Sequence, residues 1–243
     1  MRLMASRTES LEDHLDKCIE MLMTFYLKQE LHRHIARSLN LSPEEAEQAL
    51  KAVILLHDYG KGAQEYQQRK LLSFPKHEYF SAVAANQTLI DISWKDIAIT
   101  TILWHHMAMR GPNLKADLGT WSEYNAPEIV TFTEDVEKMI QKLIKKWAVS
   151  VIDIHKLPKK ITFNDVRNIV NLVDSKLREP FWSKSFYPIT IKLLRTLILV
   201  DNLAAAEQRG GLQKVFVKDL PRPDEVEKAR KWLQELINRQ SIC

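Results

Sequence analysis

The chain has 243 residues, enough for one large domain or two small ones with a substantial core. Only 6 glycines are present and the apolar residues recur at helical rather than alternating spacing, which predicts an all-α fold. A net charge of +4 admits a polyanionic partner without requiring one, and no apolar run approaches the roughly 20 residues of a membrane span, so no membrane partner is expected. The 2 cysteines, Cys18 and Cys243, make no disulfide or ligand pattern, and the N-terminus lacks a signal-type apolar region. Both features fit a reducing, cytoplasmic setting. There is no internal repeat or low-complexity tract.

In chain order, Ser10-Leu-Glu-Asp13 opens a helix expected to run to about Tyr26, with Leu11, Leu15, Cys18, Ile19 and Leu22 on its apolar face. His14 shares that face, where a histidine serves either as a hydrogen-bonded core residue or as a ligand. His32 and His34 follow in a polar stretch and are expected at the surface. Ser42-Pro-Glu-Glu45 is a stronger helix start, with cap, proline in the first turn and a glutamate three residues on. That helix carries Val53-Ile-Leu-Leu56 into His57-Asp58, then Gly60-Lys61-Gly62, with Gly60 expected to end it in the left-handed conformation. A buried carboxylate is costly unless paired or metal-bound, so Asp58 demands partners.

A short helical connection is expected at Gly62–Gln67, and a helix from near Pro75 to about Ile90 with His77 and Glu78 in its first turn. Ser93-Trp-Lys-Asp96 should cap an apolar helix to Trp104 that ends in His105-His106. Residues 107 to about 130 are rich in glycine, proline and asparagine and are expected as a loop. An amphipathic helix follows from Thr133 to about Val149, and another from Asn164 to Leu177. Lys142, Lys145, Lys146, Lys156, Lys159 and Lys160 form the most basic segment, either a solvated face or a track for a nucleic-acid backbone. A second strongly buried helix spans Ile189 to Ala206, interrupted by Asp201 and closed by Gly210-Gly211. Lys214–Val217 is expected as a strand or tail, and Pro223 begins a final helix through Ile237.

Singly these are weak signals. Together His14, His57, Asp58, His77, His105, His106 and Asp201 place imidazoles and acids at the ends or within buried helices. That donor set suits Mn, Fe, Co, Ni or Zn better than Mg or Ca. Seven ligands exceed one tetrahedral site, so two metals sharing a carboxylate is the simplest arrangement. Two ions about 4 Å apart suit phosphodiester hydrolysis.

The ordered set resembles the HD phosphohydrolase superfamily: a His, an adjacent His-Asp and a distant Asp, here His14, His57-Asp58 and Asp201. It resembles still more closely the CRISPR-associated HD nuclease of type I interference systems. The stretches that carry the resemblance are Ser10–His14, His57-Asp-Tyr-Gly-Lys61 with Ala63–Gln67, His77-Glu-Tyr-Phe-Ser81, His105-His106 and Val200-Asp201-Asn-Leu-Ala-Ala. The resemblance implies one helical HD domain, with its core at about 10–206 and a C-terminal extension at about 212–243, that cuts single-stranded DNA with two divalent transition metal ions (Mn, Ni, Fe or Co, with Mg admitted). It assigns His14, His57, Asp58 and Asp201 to one ion, and Asp58, His77, His105 and His106 to the other, with Asp58 bridging. Lys61 would contact a phosphate oxygen and Ser81 orient a ligand, although either has an ordinary structural role open to it. The chain has no Gly-x-x-x-x-Gly-Lys-Ser/Thr signature, so the implied partners are a separate CRISPR helicase subunit and an RNA-guided surveillance complex. Two other readings stay open at this point: a phosphohydrolase of nucleotides or cyclic dinucleotides, and a non-catalytic HD scaffold.

Overall fold

The computed structural model describes residues 2–27, 30–69, 72–89, 92–106, 114–179 and 186–208. Its helices are α1 (Leu11–Met21), α2 (Leu31–Leu39), α3 (Pro43–His57), α4 (Gln64–Gln67), α5 (His77–Thr88), α6 (Lys95–Trp104), α7 (Leu114–Gly119), α8 (Glu134–Trp147), α9 (Phe163–Leu177) and α10 (Tyr187–Gln208). One small antiparallel ladder, β1 (Ile129–Thr131) with β2 (Lys160–Thr162), pairs Val130 with Ile161. The fold is therefore helical, as expected. No helix among the described residues is long and apolar enough to cross a membrane.

α3 is the central strut. Ser42 caps it in a full capping box: its hydroxyl accepts from the Glu45 amide, and the Glu45 carboxylate accepts from the Ser42 amide. From Ala49 to His57 every residue is buried, so neighbours must cover all faces. They are α1, α5, α6 and α10 on the site side, with α2 and α8 closing the rest. Lys51 is tolerated there because its ammonium meets Glu47 at 2.6 Å and the Trp147 carbonyl at 3.2 Å. On α5 and α6 the buried hydroxyls of Thr88 and Thr101 donate to carbonyls one turn back, which satisfies them without leaving the helix.

α1 begins as expected, with Ser10 as its cap, and passes after Met21 into a wider π-helical turn, Leu22–Leu27. α8 lies along it. Lys142 pairs with Glu12, and Asp16 takes both Lys146 at 2.6 Å and the Trp147 indole N–H at 2.8 Å. Part of the basic segment thus faces acids of this same chain.

Four expectations need correction. Gly60 does not take a left-handed conformation: α3 ends at His57, and Asp58 (φ −107°, ψ 9°) leads into a 3-10 turn, Tyr59–Gly62. Glycine is required at 60 for closeness instead, because a Cβ there would lie 2.2 Å from the His77 carbonyl oxygen. Ser93 does not cap α6, whose N-cap is Trp94 with no side-chain hydrogen bond. His32, expected at the surface, is half-buried on a helix, α2, on which His34 is exposed as expected. The segment expected as a loop contains α7 and β1, with 107–113 outside the described residues. A buried ion pair holds α7 in place. Lys76, itself at φ 64°, reaches Asp117 at 2.5 Å, and the Tyr79 hydroxyl donates to the same carboxylate. Gly210-Gly211, the Lys214–Val217 strand and the helix from Pro223 lie outside the described residues.

Gly60→Ala is expected to destabilise the fold by about 2–3 kcal/mol, since backbone must move to admit the methyl group, lowering Tm by roughly 5–10 °C. Gly119→Ala, where no atom lies within 4 Å of the added carbon, should leave Tm unchanged or slightly raised. Thermal denaturation followed by circular dichroism compares the two.

Candidate metal centre

The site forms where helix ends meet. Asp58 follows the last residue of α3, His77 begins α5, His105 and His106 follow α6, and His14 and Asp201 enter from α1 and α10. The turn after Asp58 is held from both sides: the Gly60 amide donates to Ser81 Oγ at 2.8 Å, and the Gln67 amide donates to the Lys61 carbonyl at 2.7 Å. Ser81 therefore fixes the backbone of the His-Asp turn.

The Asp58 side chain is 1% exposed and has two distinct faces. Its Oδ2 lies 3.3 Å from His14 Nε2, 3.4 Å from His57 Nε2 and 2.6 Å from Lys61 Nζ. Its Oδ1 lies 2.9 Å from His77 Nε2 and 3.8 Å from His105 Nε2. Asp201 Oδ1 is 3.0 Å from His14 Nε2 and 3.9 Å from His57 Nε2. His106 Nε2 closes the group, 3.2 Å from His77 Nε2. All seven candidate ligands and Lys61 thus converge from five segments. The Asp201 side chain is 22% exposed and His106 is half-buried, which marks the edge that opens to solvent.

The imidazoles share one orientation. Nδ1 of His57, His77 and His105 donates to the carbonyl three residues earlier: Ile54 at 2.7 Å, Phe74 at 2.7 Å and Ile102 at 2.6 Å. Nδ1 of His14 faces the carboxylate of Glu9 at 3.3 Å. Each neutral ring then carries its proton on Nδ1 and aims the Nε2 lone pair inward, the arrangement in which outer partners orient metal-binding histidines. The buried Nε2 atoms of His57 and His105 have no hydrogen-bond partner among the described residues.

Electrostatics sharpen this. Burial alone would raise the Asp58 carboxyl, but the charges of His57 and Lys61 and the neighbouring His105 and His14 rings hold it well below the usual carboxylate range. Asp201, likewise opposed by burial, is lowered by its hydrogen bond and charge interaction with His14 and by His57. Both acids are therefore ionised. Burial lowers His77, and burial with the neighbouring His105 and His77 lowers His106 well below the usual imidazole value. Burial would lower His14 and His105 as well, but the Cys18 sulfur followed by Asp201 and Asp58 raises the first, and Asp58 raises the second. At 2.9 Å, the His77 Nε2 and Asp58 Oδ1 lone pairs need a proton or a cation between them, and the lowered His77 disfavours the proton.

The residues present therefore fit divalent cations. One donor atom each from Asp58, His77, His105 and His106 lies within 4.8 Å of the others, and the same holds for His14, Cys18, His57 and Asp201. Asp58, His77, His105 and His106, which the resemblance assigns to the second ion, lie together as one such cluster. In the set assigned to the first, Asp58 Oδ2 faces both His14 and His57, and Cys18 joins as a further donor. Nitrogen and oxygen donors in this mixture suit first-row transition metals. Lys61 Nζ points at Asp58 rather than into solvent.

Sequence reasoning missed Glu9 and Cys18 as members of the site. Glu9 lies before the α1 cap in an irregular segment, held by hydrogen bonds from the Ala5 and Ser6 amides to its carbonyl, and nothing in its spacing relates it to His14. Cys18 was legible only as one of the apolar positions of α1. Glu9→Gln, which removes the charge facing His14 Nδ1, should weaken cation binding about 10–100-fold, measured by Mn2+ titration with electron paramagnetic resonance. Unchanged affinity would show that Glu9 does not orient the ring.

The HD-domain family model matches residues 26–155, which include His57-Asp58, His77 and His105-His106, while His14 and Asp201 flank it. The chain is similar to a CRISPR-associated endonuclease Cas3-HD of Methanocaldococcus jannaschii, 28% identical over 233 residues that cover 88% of this chain and 93% of that protein. Among solved structures, the CRISPR-associated Cas3 HD domain protein of the same organism resembles it in fold, with a TM-score of 0.58 at 23% identity, covering 83% of this chain and 99% of that one. With a match spanning more than half of its 243 residues, this chain belongs to the HD-domain family.

Proposed function

We propose that the protein is a metal-dependent nuclease that cleaves single-stranded DNA with a pair of divalent cations, as the nuclease subunit of a CRISPR interference system whose helicase is a separate chain. The observation that carries this reading is the buried Asp58 carboxylate, which turns one oxygen to His14 and His57 and the other to His77 and His105. His14, His57, Asp58 and Asp201 would hold one cation, and Asp58, His77, His105 and His106 the other. Cations held there would lower the pKa of bound water and neutralise charge on a phosphodiester. The similarity to a protein described as a CRISPR-associated endonuclease supports the substrate class.

The chain's own residues supply the rest. Carbonyls of Ile54, Phe74 and Ile102 lock the rings, so the site is organised before substrate arrives. Lys61, held beside Asp58 Oδ2, offers its ammonium to a non-bridging phosphate oxygen. Substrate enters at the edge marked by Asp201 and His106. No base-reading element is needed for a strand that runs past such an edge, so little sequence preference is expected.

Metal-loaded protein incubated with single-stranded DNA, duplex DNA and a panel of nucleotides and cyclic dinucleotides tests the assignment. Degradation of the single strand is expected, with Asp58→Ala reducing it about a thousandfold or more while the far-ultraviolet circular dichroism stays helical. Turnover of nucleotides with the DNA intact would overturn it, as would full cleavage by Asp58→Ala.

A further inference from the structure

Cys18 lies one helical turn after His14 on α1 and is fully buried. The thiol is turned toward the metal centre: its Sγ is 3.7 Å from His14 Nε2. Two donors to one tetrahedral zinc, with Zn–S about 2.3 Å and Zn–N about 2.1 Å, stand roughly 3.6 Å apart. The observed separation fits that figure. A second observation points to the same spot: His57 Nε2, fully buried and without a hydrogen-bond partner among the described residues, lies in the same donor cluster. Asp201 Oδ1 completes the group, 3.0 Å from His14 Nε2.

We propose that Cys18, with His14, His57 and Asp201, forms a closed four-donor site for a thiophilic divalent cation such as Zn2+ or Cd2+, and that filling it shuts the enzyme off. The shut-off rests on the two-cation nuclease reading above. A soft cation gains a thiolate here, whereas Mn2+ and Mg2+ prefer the oxygen and imidazole donors and leave the thiol as it is. Binding through sulfur breaks the S–H bond, and the proton leaves to solvent as the cation–sulfur bond forms. Four protein donors complete a tetrahedron, so no position remains for water, which is the difference between a structural and a catalytic site. His14, His57 and Asp201 are drawn into that tetrahedron and are lost to the cation that the reaction uses.

The test uses the full chain carrying Cys243→Ser, so that Cys18 is its sole thiol, stripped of metal by chelator. It is titrated with Cd2+, first alone and then after loading with Mn2+ in the presence of single-stranded DNA, and followed by thiolate-to-cadmium absorption in the ultraviolet. Mn2+ binding is followed separately by electron paramagnetic resonance. The expected result is an absorption band that saturates at one Cd2+ per chain, displacement of bound Mn2+, and loss of DNA cleavage as the band grows. Adding Cys18→Ser should abolish the band and weaken Cd2+ binding more than about tenfold while Mn2+ still binds. Mn2+ binding with no band overturns the proposal and leaves the nuclease reading standing. A band with undiminished cleavage overturns the shut-off. Binding of neither cation overturns the nuclease reading and this proposal together. Should Cys18→Ser fail to fold, the presence or absence of the band in the parent decides the matter.

Discussion

A single buried carboxylate governs this molecule. An unpaired charge in a protein interior costs several kcal/mol even after relaxation, a large share of a stability that totals about 5–15 kcal/mol. Asp58 is nevertheless placed at the hub of the helices, with Asp201 aimed at the same histidine. Lys61 offsets one of these two charges. The remainder falls to the imidazoles: Asp58 raises His105, and Cys18 together with both acids raises His14. Cations bound at this cluster would replace those protons, making metal binding and the electrostatic stability of the core one event.

The fold serves that arrangement by bringing the ends of α3, α5 and α6 to one point, where α1 and α10 add His14 and Asp201 from their faces. Side chains at a terminus reach past their own helix, and the carbonyls of its last turn are free to accept from Nδ1. His57 and His105 use the ends of α3 and α6 in this way, and His77 uses the turn that precedes α5. Two close contacts set the spacing: Gly60 against the His77 carbonyl, and Ser81 against the Gly60 amide. Neither touches a candidate ligand's donor atom, yet both determine where Asp58 stands relative to His77.

Features encoded locally were legible in the sequence. The Ser42 capping box, the buried character of α3 and the intrusive acids at 58 and 201 all follow from neighbouring residues. Features encoded by tertiary approach were not. Gly60 looks like a helix terminator because glycine often is one, but its reason lies in α5, across the chain. The Lys76–Asp117 pair that builds α7 joins residues 41 apart, so its segment looks like loop from composition alone. Cys18 has the apolar periodicity of a core position, and only the packing of α1 against α3 and α10 reveals what its sulfur faces. The residues that converge on Asp58 could be picked out because an ordered set of weak signals constrains a fold more than each does separately.

The most direct test of the central claim is anomalous diffraction from crystals soaked in Mn2+. Two peaks are expected, one beside Asp58 Oδ2 among His14, His57 and Asp201, and one beside Oδ1 among His77, His105 and His106. A single peak, or peaks that leave either Asp58 oxygen without a cation, would contradict the account.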